Sequence, residues 1–243
     1  AVHINAGAAA LGLAIVLGRR VVFHKGAHKP HNVPLVLLGA ALLWFGWFGF
    51  NAGAEFLAEG MPGVGLIVVN TLGATAAAIL GWMVVEKLKD GKATAVGAAS
   101  GAVAGLVAIT PACANLTPGF ALLLGAVAGI VSALAVEWKF KLGYDDSLDV
   151  VGIHLVSGLI GTLYLGFFAI DTGLFTGGDF GQLTVQAIAA FSVLFYSFVV
   201  ALVLGFAIQK TIGFRVTSED EVAGIDNIVH GEEGYQLEEG ARL

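Results

Sequence analysis

Two histidines stand where few titratable side chains are tolerated. His154 follows Asp145-Asp146-Ser147-Leu148-Asp149-Val150-Val151-Gly152-Ile153 and lies inside a segment that then runs apolar to Ile170. An ionisable group at that depth is costly in hydrocarbon, and its default reading is functional. His3 keeps similar company: His3-Ile-Asn-Ala-Gly7 and His154-Leu-Val-Ser-Gly158 both read His-x-x-x-Gly. Either histidine alone could be a hydrogen-bonded packing residue. Two neutral imidazoles brought together can instead share one N–H between ring nitrogens, each keeping an outer edge for a small polar guest. Such a pair can accept or relay a proton. The expectation is that His3 and His154 meet in the middle of a membrane pore.

Three further groups of residues could take part. Asp146 precedes His154 by eight positions, where a carboxylate can cap the first helical turn and complement its dipole. A cap is the favoured reading, and a charge felt by a cation in the pore is compatible with it; Asp149 is read as similarly structural but closer to the membrane. The stretch Leu42-Leu43-Trp44-Phe45-Gly46-Trp47-Phe48-Gly49-Phe50-Asn51-Ala52-Gly53 is dense in aromatic rings. It is either an interfacial belt or a vestibule whose ring faces attract a cation, with Phe50 plugging the entrance. His24, His28 and His31 sit among Gly26, Pro30 and Pro34 with no cysteine or carboxylate beside them, which argues against a metal site. Neither a metal nor a cofactor is expected.

These residues must be positioned by membrane helices. With 57% hydrophobic and 12% charged residues and a mean hydropathy of +0.87, the chain lies far from soluble composition, and nucleic acid is not an expected partner. Six apolar runs are long enough to cross the bilayer, at roughly 34–54, 64–86, 93–112, 118–137, 148–170 and 183–208, after a partial span over 1–18. All twelve Lys and Arg fall outside the loops Glu55 to Gly63, Ala112 to Pro118 and Asp171 to Gln182. That alternation places the C-terminus in the cytoplasm. Gly97, Gly101 and Gly105, with Gly125 and Gly129, form stripes that let helices approach closely. The formal charge of −6 comes from the tail after Arg215, which holds eight acids and Arg242. Residues 1–215 therefore read as a nearly neutral transmembrane domain and 216–243 as a distinct acidic module. The lone Cys113 excludes an internal disulfide. The chain opens on an apolar run that already contains His3, as one cut partway through a transmembrane helix would, and is read as the C-terminal part of a longer protein.

The two His-centred stretches, Trp47 to Gly53, the Ile109-Thr110-Pro111-Ala112-Cys113 turn and the tail Phe214-Arg215-Val216-Thr217-Ser218-Glu219 through Gly224-Ile225-Asp226 to His230-Gly231-Glu232 together resemble the ammonium transporter (Amt/Mep/Rh) family. The resemblance runs over essentially the whole chain. It implies an all-α polytopic fold of eleven helices built from two inverted repeats and a last long helix, present here from the latter half of the fifth helix onward. It also implies a homotrimer in the plasma membrane with one pore per subunit, the site lying near the midplane between repeats.

In that likeness His3 and His154 match twin pore histidines, Phe50 one of two gating phenylalanines, and Trp47 a pore-lining tryptophan. Leu43 and Val150 fall at hydrophobic wall positions, and Asp146 matches a recurrent aspartate. Ala54 stands where the family usually has a serine, so recruitment would rest more on aromatic faces. The tail, with Gly224, Asp226, His230 and Glu232, would couple subunits and help dock a PII-type nitrogen-status protein.

A pore with apolar walls disfavours bare cations. Ammonium differs from potassium in being able to give up a proton, so it could be held at the vestibule, deprotonated, and passed as ammonia along the histidine pair. An ammonium sensor signalling through the tail and a Rhesus-type gas channel are the alternatives. An enzyme is the least favoured class, because the apolar body has neither paired carboxylates nor a nucleophile beside either histidine.

Overall fold

The computed structural model describes residues 1–23, 30–58 and 60–235. His24, His28, Lys25, Lys29, Glu59, Glu238, Glu239 and Arg242 lie outside these residues. The described secondary structure is helical throughout: α1 Val2–Leu17, α2 Val33–Ala58, α3 Val64–Asp90, α4 Ala95–Ile109, α5 Pro118–Ala135, α6 Trp138–Leu142, α7 Val156–Phe168, α8 Phe180–Thr211 and α9 Ser218–Ala223. Two π-helical turns, Val151–Leu155 and Asp226–His230, complete it. Segments Val33–Leu57, Val64–Asp90, Pro118–Leu142, Val151–Phe168 and Phe180–Thr211 are long and apolar enough to cross a bilayer.

The expected span over 93–112 is shorter than its hydropathy suggests. α4 has only 15 residues, about 22 Å at the rise of an α-helix. Thr94 caps its start by accepting from the Gly97 amide at 2.9 Å. It stops at Ile109 two residues before Pro111, and the chain turns through residues 110–115. A helix enclosed by others need not span the hydrocarbon by itself, and Leu106, Val107, Ala108 and Ile109 are all fully buried.

α3 is the hub on which α4 and α5 pack, while α1 lies along α8. The glycine stripes serve the first contact. A Cβ on Gly101 or Gly105 would strike Trp82 or Ala78, and one on Gly125 or Gly129 would strike the backbone of Ala74 or Ala78. Close approach in lipid depends on such small residues. Buried polar groups fasten the same bundle. Asn70 donates to the carbonyls of Cys113 and Leu116 at 2.8 and 2.7 Å, and the Ser132 and Ser157 hydroxyls meet at 2.7 Å.

The tail is tied to the end where the basic loops gather. Arg215 donates to the Leu17 carbonyl at 2.8 Å and to Glu221 at 2.6 Å, and Glu221 accepts from the Val21 amide at 2.7 Å. Those two donors hold the Glu221 carboxyl below its usual value. Tyr235 then returns to the start of α2, its ring 5.5 Å from that of His31 and its hydroxyl accepting from Asn32.

Candidate functional site

His3 lies in the first turn of α1 and His154 in the π-helical turn Val151–Leu155, which runs directly into α7. Their Nδ1 atoms are 3.4 Å apart and their ring centroids 5.5 Å. Only one of two facing Nδ1 atoms can carry the proton they share. The accepting ring must then hold its own proton on Nε2, and the donating ring must leave Nε2 bare. The pair thus presents one outward donor and one outward acceptor, and these swap when the shared proton crosses, the Nε2 proton of the receiving ring leaves and a proton arrives on the Nε2 of the other ring. His3 Nε2 is buried and has no hydrogen-bond partner among the described residues.

Two aromatic residues of α2, Trp47 and Phe50, close over His3. Trp47 stacks on His3 with centroids 5.3 Å apart and planes 16° from parallel. Phe50 lies 5.9 Å from His3 and meets Trp47 edge-on at 5.8 Å. Trp47 is held there by its indole N–H, which donates to Thr110 Oγ1 at 2.8 Å. The Thr110 hydroxyl in turn donates a hydrogen bond to the Leu106 carbonyl. A cavity of about 540 Å³ opens beside the pair, lined by Val2, His3, Gly39, Leu42, Leu43, Gly46, Trp47 and Phe50. Five of the expected site residues therefore cluster: His3, His154, Trp47, Phe50 and Leu43. Val150 does not join this cavity; it stands at the base of the π-helical turn. Ala54 is exposed one turn beyond Phe50 on α2.

The chain before His154 is fixed by charge. Asp146 is buried and its two carboxylate oxygens accept from the Val150 and Val151 amides at 3.0 and 2.7 Å. Asp149 adopts a left-handed backbone, φ 59°, and pairs with Lys139 at 2.6 Å. Asp145 receives the Arg20 guanidinium and the Arg20 amide, each bond 2.7 to 2.8 Å long. Burial raises the Asp145 carboxyl, and the bonds from Arg20 outweigh that effect, so it titrates below the ordinary carboxylate value. Asp146→Ala leaves two amide N–H groups without acceptors, and the expected loss is about 2 kcal/mol of stability. Asp146→Asn keeps one acceptor oxygen and loses less. Thermal unfolding of the full-length protein in detergent checks both, and equal midpoints for wild type and Asp146→Ala would contradict the cap.

In the tail, Gly224 has a positive φ of 102°, and Asp226 and His230 begin and end the second π-helical turn. The Glu232 amide donates to the Asp226 carbonyl at 3.2 Å. All four motif residues, Gly224 to Glu232, contribute through backbone geometry, with the Asp226, His230 and Glu232 side chains exposed.

Sequence reading missed Lys139, Thr110 and Arg20 as site-supporting residues. Lys139 and Arg20 enter the sequence pattern as loop charges that orient the chain, and no spacing signal links either to its carboxylate. Thr110 sits inside the quoted Ile109 to Cys113 turn, but nothing in that turn points to an indole 63 positions away.

Residues 1–235 match the sequence model described as the Ammonium Transporter Family. An ammonium transporter of Mycobacterium tuberculosis is 54% identical over 249 residues, covering 98% of this chain and 52% of that protein. A putative ammonium transporter of Methanothermobacter thermautotrophicus is 44% identical, covering 97% of this chain and 59% of its own length. The chain spans about half the length of the curated relatives it matches. Among solved structures, one titled Sensor Amt Protein superposes with a TM-score of 0.84 at 32% identity, covering 93% of this chain and 57% of that one. Candida albicans Mep2 superposes at 0.82 and 33% identity, covering 90% and 51%.

Proposed function

The chain belongs to the ammonium transporter family, and from that premise we propose that it forms part of a pathway carrying ammonium or ammonia across the plasma membrane. The observation that carries the reading is the 3.4 Å Nδ1 pair with its buried, unpartnered His3 Nε2 beneath Trp47 and Phe50. The cation is recruited at the ring faces of Trp47 and Phe50. With Ala54 in place of a hydroxyl-bearing residue, those faces do more of the recruiting. Ammonium leaves its proton with water at the open mouth of the cavity, and ammonia then passes the pair, accepting from one Nε2–H and donating to the bare Nε2 of the other ring.

Leu43 and Val150 supply apolar wall, which raises the cost of any bare cation. Potassium has no proton to lose and no neutral form in which to cross. Asp146 sets the turn that carries His154, and Asp149 supports it from below.

The remaining features fit the same reading. The loops holding Lys and Arg face the cytoplasm, by the positive-inside rule, and residues 1–215 form the membrane domain. Residues 216–243 are its cytoplasmic regulatory tail, with Gly224, Asp226, His230 and Glu232 shaping the surface offered to neighbouring subunits of a homotrimer and to a PII-type protein. The exposed apolar faces of α2 and α8 suit burial in lipid or against further helices, since only 6% and 11% of their most apolar stretches are buried.

Uptake of labelled methylammonium into liposomes holding the full-length protein tests the proposal. Saturable uptake that ammonium competes away and potassium does not is the expected result. Ammonium binding without flux would overturn transport in favour of a sensor.

A further inference from the structure

Resting on the transport reading above, we propose that Lys139 is a positioning residue for His154: its ion pair with Asp149 fixes where the π-helical turn begins and so where the imidazole lies. Lys139 is 8% exposed. Its ammonium donates to the Asp149 carboxylate at 2.6 Å and to the Asp146 carbonyl at 2.9 Å. One buried cation from α6 therefore grips both ends of the Asp146–Asp149 turn.

That grip is transmitted to His154 through the backbone. Asp149 holds a left-handed conformation, φ 59°, which non-glycine residues adopt at a cost and keep only when their surroundings demand it. The Asp149 carbonyl accepts from the Ile153 amide at 2.8 Å, the residue directly before His154. Asp146, whose carbonyl Lys139 holds, caps Val150 and Val151. A shift of Asp149 must therefore carry the first half of the π-helical turn with it.

The far side of that turn is tied to the same support. Ser132 of α5, which leads directly into α6, meets Ser157 at 2.7 Å, and a Cβ on Gly152 would touch Val136 at 2.7 Å. The α5–α6 segment thus holds the His154 stretch before and after the imidazole. Wide helical turns of this kind recur at functional sites, and here the ion pair sets the phase at which the turn starts. A lysine that merely anchored α6 would affect stability and leave the imidazoles where they are.

The test uses the full-length protein in liposomes with Lys139→Met, Lys139→Arg and Asp149→Asn, reading ammonium flux and its ratio to potassium flux. It also reads the ¹⁵N shifts of the labelled histidine rings, which report the shared proton. Lys139→Met and Asp149→Asn are expected to lower ammonium flux on the order of 10- to 100-fold, the effect of misplacing a reacting group by about an ångström. Both should displace the ring-nitrogen shifts of His3 and His154, and Lys139→Arg, which keeps the charge, should recover most of the flux and the shifts. If Lys139→Met fails to fold, Asp149→Asn, nearly isosteric, decides. Wild-type flux and wild-type shifts in Asp149→Asn would overturn the proposal. Should the wild-type protein itself move no ammonium, the transport reading fails separately and the shifts alone decide: displaced in Lys139→Met and restored in Lys139→Arg sustains the positioning role, while unmoved shifts end it.

Discussion

His154→Ala is expected to cut the preference for ammonium over potassium by at least about a hundredfold, or to stop flux altogether. The imidazole is half of the only connection that His3 Nδ1 makes among the described residues. Its removal leaves both ring nitrogens of His3, one N–H donor and one acceptor, without partners among the described residues, and opens a space the size of the lost ring. Polar atoms lining a newly opened space draw water in when several of them can hold it. A wetted passage returns hydration to a crossing cation, and about 3 kcal/mol returned in this way is roughly a hundredfold in relative permeation. The neutral route also loses its alternation of donor and acceptor, so ammonia has one polar partner where it had two. Ammonium-evoked and potassium-evoked currents of the full-length protein on supported membranes give the ratio directly. An unchanged rate together with an unchanged ratio would refute the relay.

Residue type and depth are what make the histidine pair legible in the sequence. A histidine inside an apolar run is rare enough to mark His154, and the shared His-x-x-x-Gly pattern recruits His3. Hydropathy likewise places every membrane helix in order, because runs such as 64–86 and 183–208 have no other stable home. It overstates α4, since apolarity continues past Ile109 while the backbone does not: Pro111 has no N–H to give and the chain turns.

Charge is harder to read. Arg20, Lys139 and Arg215 look identical in sequence to solvated loop bases, yet Arg20 and Arg215 meet a carboxylate or carbonyl from a distant segment and Lys139 meets a carboxylate across the next turn of the chain. Those partners are set by how the helices end, a tertiary matter that local pattern does not encode. Val150 shows the converse limit. Its place as an apolar neighbour four residues from His154 is clear from the sequence, but the cavity beside His3 is lined without it, and where the turn begins is not a local pattern.

Gly7→Ala is expected to separate the histidines and lower ammonium flux on the order of 10- to 100-fold, with Gly7→Val worse. The reason lies in the second half of the His-x-x-x-Gly pattern. Residues four apart share a helix face, so each histidine and its glycine look toward the opposite segment. A Cβ built on Gly7 would lie 2.5 Å from both the amide nitrogen and the Cβ of Leu155, and 2.8 Å from its Cα. Leu155 follows His154 directly, and its backbone cannot rotate out of the way as a side chain could. To reach ordinary contact, α1 and the π-helical turn must part by about an ångström, and a 3.4 Å Nδ1 separation has no slack for that within hydrogen-bond range.

Gly158 faces the other direction across the same crossing. Its Cβ would meet His3 Cβ and Ile4 Cγ1 at 3.2 Å, a tighter fit than ordinary contact but one that a few tenths of an ångström relieve. Gly158→Ala should therefore lose less flux than Gly7→Ala, although both add a single methyl group. Overpacking alone destabilises by about 1–3 kcal/mol, so unfolding midpoints must be read beside flux for both variants. If the flux losses merely track the midpoints, the glycines serve packing in general. If Gly7→Ala loses flux well beyond its loss of stability, close approach of α1 to Leu155 is what keeps the two imidazoles in reach of one proton.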